Sequence, residues 1–217
     1  ATATATSASG NEGDGGGSGG QRVLIVASRL PVVAYYDGDV GERMMSSFYS
    51  KLKTQQASAA PVTGADPTRT KGIFNAMSTP ATQMMWIGWA GLNDPQPTEE
   101  VALRAELETR DCVPVMLRED SCAAYFDGMC NDVLWPLLHS AEPGLGDRSL
   151  HGHERQWRAY VEANRAYAAE VLDAYQPGDV VFVHDYHLML VPQLLRAAVG
   201  PSMRIGWSGF IAFLGVA

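Results

Sequence analysis

Short apolar runs alternate with longer amphipathic segments along this chain. Five of the runs are typical of buried strands, because they are rich in apolar and β-branched residues and are bounded by turn residues. These runs are residues 23–27, 83–91, 112–117, 179–183 and 203–207.

Three further segments have the spacing of apolar side chains that is typical of helices. The clearest spans about residues 153–175, where apolar side chains recur at steps of three and four until a Pro-Gly pair ends the pattern. A helix with an acidic start is predicted over 97–110, and another over 188–199 with Pro192 near its first turn. Strands that alternate with helices predict a parallel sheet of the doubly wound α/β kind.

Two parts of the chain do not fit this alternation. Residues 1–20 are low-complexity Ala, Thr, Ser and Gly, which predicts a disordered tail. Residues 35–53 are compatible with either a hairpin or the start of a helix, and residues 57–70 have the turn residues of a loop.

Composition narrows the function classes. The 217 residues are 46% hydrophobic, which is enough for one large domain, and the formal net charge of −8 gives no general attraction for nucleic acid or an anionic membrane. No apolar run is long enough to cross a bilayer. The three cysteines have no CxxC spacing, so they predict neither a disulfide framework nor a zinc site, and a reducing, cytoplasmic setting fits them best.

The stretch VHDYHLML (183–190) contains the densest candidate chemistry. His184, Asp185 and His187 follow a predicted buried strand, at the edge of the sheet where ligands bind in folds of this kind. A structural interpretation is that Asp185 caps the next helix and backbone groups satisfy the histidines. A metal site would need further ligands, and no other cluster has a recognisable ligand spacing.

Four separated segments resemble the amino-terminal half of the trehalose-6-phosphate synthases. The last two are the most specific, because they match at nearly every position and in the same order and separation. The resemblance covers roughly residues 22–206. The four segments are ASRLPV (27–32), WIGWAG (86–91), NDVLWPLLH (131–139) and GDVVFVHDYHLMLVPQLLR (178–196).

That family consists of two-domain, retaining glycosyltransferases of the GT-B type, which transfer glucose from UDP-glucose to glucose 6-phosphate without a metal or another cofactor. The resemblance therefore implies that residues 21–206 form an amino-terminal, Rossmann-like domain on the acceptor side. It also implies glucose 6-phosphate and UDP-glucose as ligands.

The resemblance implies a set of site residues as well. Arg29 would contact the acceptor phosphate or the donor diphosphate, and Gly72 would belong to a loop that approaches the donor phosphates. Trp89 and Trp135 would line the acceptor pocket, each with an apolar face and an N–H donor. Asp185 would be the catalytic-site carboxylate that accepts hydrogen bonds from the transferred glucose, with the neighbouring histidines in supporting roles.

Two departures from the family pattern bear on activity. Phe126 occupies the position of a tyrosine that helps to hold the acceptor phosphate, unless the hydroxyl of Tyr125 replaces it. Phe210 occupies the position of a histidine that contacts the donor glucose, and agreement is lost after Gly206. We therefore expect residues 207–217 to be a divergent, truncated end and the carboxy-terminal domain to be missing.

The sequence thus predicts a fragment of a trehalose-6-phosphate-synthase-like glucosyltransferase that is inactive alone, because transfer needs both reactants oriented in one cleft. One alternative is a non-catalytic, sugar-phosphate-binding or regulatory relative that associates with a complete synthase, which the two phenylalanines favour. Another is a metal-dependent phosphohydrolase built around His184, Asp185 and His187.

Overall fold

The structure is a computed structural model that describes residues 20–36, 52–56, 82–139 and 153–209. Residues 1–19 of the predicted tail, and the predictions for Gly72 and Phe210, lie outside the described residues.

Seven strands form in the part of the chain that the structure describes. Each of the five predicted apolar runs forms one of them. The second and third strands overlap the two ends of residues 35–53, the region that was compatible with either a hairpin or the start of a helix. The strands are β1 (Gln21–Arg29), β2 (Val32–Tyr36), β3 (Leu52–Gln56), β4 (Thr82–Asn93), β5 (Cys112–Leu117), β6 (Val180–His184) and β7 (Arg204–Ser208).

The three predicted helices are present. A further helical stretch, which was not predicted, lies between β5 and the longest of them. Residues 119–139 wind without interruption through a short α-helix (Glu119–Ala123), a π-helical segment (Ala124–Leu134) and a second short α-helix (Trp135–His139). None of the helices in the described ranges combines the length and apolar character needed to cross a bilayer. The α-helices are α1 (Pro97–Glu108), α2 (Glu119–Ala123), α3 (Trp135–His139), α4 (Glu154–Ala174) and α5 (Val191–Val199).

The main sheet has the strand order β5-β4-β1-β6-β7, and all of its neighbouring strands are parallel. From β1 the chain proceeds through β4 to the β5 edge, then returns to the other side of β1 for β6 and β7. This order is that of a doubly wound, Rossmann-like sheet, so the predicted fold class is confirmed. β2 and β3 form a separate antiparallel pair, which favours the hairpin over the helix for the described ends of residues 35–53.

Both faces of the sheet carry apolar side chains. On one face, Leu24 and Val26 of β1 and Val181 and Val183 of β6 join the main core with α4 and the 119–139 stretch. Fully burying one such aliphatic side chain stabilises the fold by roughly 1.5–3 kcal/mol. A second cluster packs α1 against residues that follow β1, among them Leu30.

An ion pair fixes β1 against the start of β6 at the amino-terminal edge of the sheet. Nε and Nη2 of Arg22 lie 3.0 and 2.6 Å from the two carboxylate oxygens of Asp179, and Oδ2 also accepts a hydrogen bond from the N–H of Gln176. Burial alone would raise the pKa of Asp179, but the hydrogen bonds from Arg22 and Gln176 hold it below its usual value. The ion pair thus lies at the edge of the sheet opposite to the one at which folds of this kind bind ligands.

Candidate functional site

The sheet changes its winding direction at β1 and β6, and this is the place where such sheets bind ligands. Arg29 is the last residue of β1, and Asp185 directly follows β6. Because Val26 pairs with Val183 in the parallel register, the residues that follow them emerge side by side at the carboxyl-terminal edge. The structure therefore places at one edge of the sheet two residues for which the family resemblance implies a role in the site.

Arg29 lies over two aromatic rings. Its Cζ is 4.6 Å from the ring centroid of Trp89 and 5.0 Å from that of Phe126, and the two rings are 5.2 Å apart. An Arg guanidinium in this arrangement is held by cation–π attraction. Among the described residues no carboxylate forms an ion pair with Arg29, and its side chain is exposed, so within this part of the chain its charge and donor fork can face an anion.

The WIGWAG segment positions Arg29 through its backbone. The N–H of Leu30 donates to the carbonyl of Trp89 (2.9 Å), which ties the end of β1 to β4. A Cβ on Gly88 would come within 2.7 Å of the carbonyl oxygen of Ala27 and 3.0 Å of the carbonyl carbon of Arg29, so only glycine permits this approach. The first tryptophan, Trp86, is half-buried against the apolar clusters and is part of the core.

Trp89 contributes to the site through its ring face. Its indole N–H donates to the carbonyl of Leu92 (2.9 Å), so this donor is used within β4 and is not available to a sugar. Trp89 therefore does not have the expected role of an N–H donor to the sugar. Its ring instead supports the guanidinium of Arg29.

Asp185 has a backbone conformation that is rare for residues other than glycine. Its φ of 76° and ψ of 164° lie in a region that costs of order 1–3 kcal/mol for a residue with a side chain. The N–H of Asp185 donates to the carbonyl of Ser208 (2.6 Å), and its carboxylate accepts from the N–H of Tyr186 (2.8 Å). The predicted capping role is confirmed, although the capped element is a single 3-10 turn (Tyr186–Leu188).

The surroundings of Asp185 keep its carboxylate charged although it is buried. Burial alone would raise the pKa of Asp185, but the adjacent ring of His187 and the N–H of Tyr186 hold it below its usual value. Nδ1 of His187 is 3.4 Å from Oδ2 of Asp185. His184 contacts the hydroxyl of Ser208 (3.1 Å), and burial lowers its pKa. The site therefore offers an ionised hydrogen-bond acceptor at neutral pH.

The alternative of a metal-dependent phosphohydrolase requires a set of metal ligands, and the described part of the chain contains none. No three His, Cys, Asp or Glu side chains come together there in a way that could hold a metal ion. His184, Asp185 and His187 are neighbours in sequence, but they do not form such a group.

The 119–139 stretch supplies the remaining predicted side chains. Tyr125 is fully buried and its hydroxyl donates to the carbonyl of His187 (3.1 Å), so it does not supply the hydroxyl missing at Phe126. Trp135 is half-buried, stacks on His139 at 3.7 Å and lies 5.8 Å from the ring of Tyr186. The structure thus places Phe126 and Trp135 near the loop that carries Asp185.

Sequence reasoning missed the polar function of α4. Tyr160 and Asn164 lie within the helix predicted over 153–175, for which only the apolar pattern was considered, whereas their polar atoms bind the backbone after Asp185. An asparagine on the buried face of an amphipathic helix is the signal that could have revealed this, because a buried amide requires hydrogen-bond partners.

Two substitutions at Asp185 test its backbone strain. Both Asp185→Gly and Asp185→Ala remove the cap, but only glycine adopts this conformation without a steric penalty. We expect the glycine variant to have a free energy of unfolding about 1 kcal/mol higher than the alanine variant, measured by urea denaturation. An alanine variant as stable as the glycine variant would show that the position is not strained.

The family model for glycosyltransferase family 20 matches residues 23–214. The chain is 34% identical over 190 residues to alpha,alpha-trehalose-phosphate synthase (UDP-forming) 1 of Arabidopsis thaliana, covering 86% of this chain and 18% of that protein. It is 40% identical over 128 residues to the corresponding synthase of Yarrowia lipolytica, covering 58% of this chain and 26% of that protein. The chain spans about a third or less of the length of these curated relatives.

Solved structures share the fold. The N-terminal domain of Candida albicans trehalose-6-phosphate phosphatase has a TM-score of 0.56 at 24% identity, over 86% of this chain and 32% of that one. An alpha,alpha-trehalose-phosphate synthase (UDP-forming) from Burkholderia xenovorans in complex with glucose-6-phosphate has a TM-score of 0.50 at 18% identity, over 87% of this chain and 33% of that one. Since the family model takes in most of its length, the chain belongs to glycosyltransferase family 20.

Proposed function

We propose that this chain is the acceptor-side domain of a trehalose-6-phosphate-synthase-like glucosyltransferase, whose reaction converts UDP-glucose and glucose 6-phosphate to trehalose 6-phosphate and UDP. The observation that carries the proposal is the Arg29 guanidinium, which lies over two aromatic rings at the sheet edge that also carries Asp185 and pairs with no carboxylate among the described residues. The similar synthases, which are described as UDP-forming, support the reaction class.

Each side chain of the site has a specific part in this proposal. Arg29 binds a phosphate through its planar donor fork, and the Asp185 carboxylate accepts hydrogen bonds from the hydroxyls of the transferred glucose. Trp135 offers a ring face to the acceptor sugar. Gly72 remains a proposed contact of the donor phosphates. No metal and no other cofactor is required.

We expect binding without turnover from this chain alone. The chain spans about a third or less of its curated relatives, and glucosyl transfer needs acceptor and donor to be oriented in one site. Orientation of this kind contributes about 7–11 kcal/mol to lowering a barrier. Even small losses of orientation therefore have large effects on rate.

A second candidate function is a non-catalytic sugar-phosphate-binding relative that associates with a complete synthase. The observation that favours it is that the hydroxyl expected at Phe126 is missing and that of Tyr125 is bound to the carbonyl of His187. Both candidates include a reducing, cytoplasmic setting, which the three free, buried cysteines support.

Calorimetric titration with glucose 6-phosphate tests the proposal, with glucose and inorganic phosphate as reference ligands. Saturable binding of glucose 6-phosphate that is tighter than that of either reference supports a site for both parts of the molecule. Absence of binding by a chain with a cooperative unfolding transition would overturn the proposal. A change in the rate of a complete synthase on addition of this chain would favour the second candidate.

A further inference from the structure

One face of α4 carries a row of polar side chains into the core. Tyr160, Asn164 and Tyr167 are spaced by four and three residues, so they lie on the same face of the helix. All three are fully buried. We call them the polar stripe of α4. Burying an amide or a hydroxyl costs free energy unless it finds hydrogen-bond partners, so the partners of this stripe reveal its function.

Tyr160 binds the loop that follows Asp185. Its hydroxyl donates to the carbonyl of Tyr186 (2.7 Å) and accepts from the N–H of Met189 (3.1 Å). Burial raises the pKa of Tyr160, which keeps the hydroxyl protonated and able to donate. One side chain therefore fixes two backbone groups, one in the first residue of the 3-10 turn and one in the residue that follows the turn.

Asn164 binds the same loop one helical turn further along α4. Its Oδ1 accepts from the N–H of Leu190 (3.1 Å), and its Nδ2 donates to the carbonyl of His187 (3.1 Å). The orientation of the amide is unambiguous, because one partner is a donor and the other an acceptor. The carbonyl of His187 also accepts from Tyr125. Side chains from two elements, α4 and the 119–139 stretch, thus hold the backbone after Asp185.

Tyr167 binds the other strand of the site. Its hydroxyl donates to the carbonyl of Ser28 (2.6 Å), the residue before Arg29. Burial raises the pKa of Tyr167, so this hydroxyl also stays a donor. The polar stripe therefore contacts the carboxyl end of β1, which carries Arg29, and the loop after β6, which carries Asp185.

We propose that the polar stripe of α4 positions the two ligand-binding residues separately: Tyr160 and Asn164 hold the Asp185 loop, and Tyr167 holds the end of β1 that carries Arg29. These three are positioning residues, since they act through backbone groups of the loops. The statement that Arg29 and Asp185 bind a sugar phosphate rests on the proposed function. The statement that different side chains hold the Asp185 loop and the end of β1 does not depend on it.

Amide-resolved hydrogen exchange on the ligand-free 217-residue chain tests this separation. Tyr160→Phe is expected to raise the exchange rate of the Met189 amide about tenfold and to leave that of Leu30 unchanged, because the lost bond is local. Tyr167→Phe is expected to do the reverse. Tyr175→Phe is the matched control, since its hydroxyl makes no hydrogen bond within the described residues. An equal rise at both amides and in the core of the sheet, for example at Ile87, would overturn the inference.

Titration with inorganic phosphate links the stripe to the site. Tyr167→Phe is expected to weaken phosphate binding about three- to tenfold, the effect of one hydrogen bond, whereas Tyr160→Phe leaves it unchanged. A loss of global stability alone would not separate the two variants in this way. Equal losses in both variants would overturn the separate positioning. If the unmodified chain binds no phosphate, the same variants are titrated with glucose 6-phosphate. Absence of binding there overturns the proposed function, and the exchange pattern still decides the positioning inference.

Discussion

The Arg29→Ala variant is expected to bind glucose 6-phosphate at least tenfold more weakly than the unmodified chain. The guanidinium is the charged group at the end of β1, and a hydrogen bond to a charged group contributes about 1.5–3 kcal/mol. Arg29→Lys is expected to fall between the two, because lysine keeps the charge but loses the planar fork and the stacking on Trp89 and Phe126. Calorimetric titration measures all three affinities.

The control for this experiment is Arg118→Ala. Arg118 also follows the carboxyl end of a strand, but it lies at the β5 edge and is paired with Asp120 at 3.0 Å. The Arg118→Ala variant removes the same charge as Arg29→Ala but leaves the proposed site intact. Its affinity for glucose 6-phosphate is therefore expected to be unchanged. Equal losses in the two variants would show that the overall charge, and not the Arg29 site, attracts the sugar phosphate.

The Gly88→Ala variant is expected to lose both stability and ligand affinity. The added methyl group would lie 2.7 Å from the carbonyl oxygen of Ala27 and 3.0 Å from backbone atoms of Arg29 and Leu30. Backbone atoms within a parallel sheet cannot move aside cheaply, so we expect the free energy of unfolding to fall by about 1–3 kcal/mol. The same displacement moves Arg29, and the affinity for glucose 6-phosphate falls with it.

The control is Gly128→Ala. Its added methyl group would also meet an atom at 2.7 Å, but that atom is Cγ of Gln156, part of a flexible side chain. Urea denaturation of both variants is expected to show a substantial loss only at Gly88. A small effect at Gly88 would mean that β1 and β4 can separate locally, and the contact would then not fix the position of Arg29.

The strands and the long helix could be predicted from the sequence, because local patterns encode them. The 112–117 run has the same bounds as β5, and the predicted helix over 153–175 differs from α4 (Glu154–Ala174) by one residue at each end. These elements are regular and partly buried, so the spacing of their apolar residues follows the faces that are buried and indicates the type of element. The start of α5 was wrong by three residues, because Tyr186–Leu188 forms its own turn before Val191.

The arrangement of the site could not be read from local patterns. The stacking of Arg29 on Phe126 joins residues that are far apart in the chain, and nothing near Arg29 in sequence encodes it. Whether Tyr125 or Phe126 faces the site depends on how the helix is wound, and no helix was predicted there. The partners of Asn164 likewise exist only after α4 has packed on the sheet.

The π-helical winding of residues 124–134 has a consequence for the spacing of the site. Phe126 and Trp135 are nine residues apart, which is two and a half turns of an α-helix and would place them on opposite sides. A π-helix closes its hydrogen bonds five residues along, so it needs more residues per turn, and nine residues make about two turns. Both rings therefore reach the Asp185 loop, with Phe126 at 6.0 Å from His187 and Trp135 at 5.8 Å from Tyr186. The number of residues between the two rings is thus as much a requirement of the site as their chemistry.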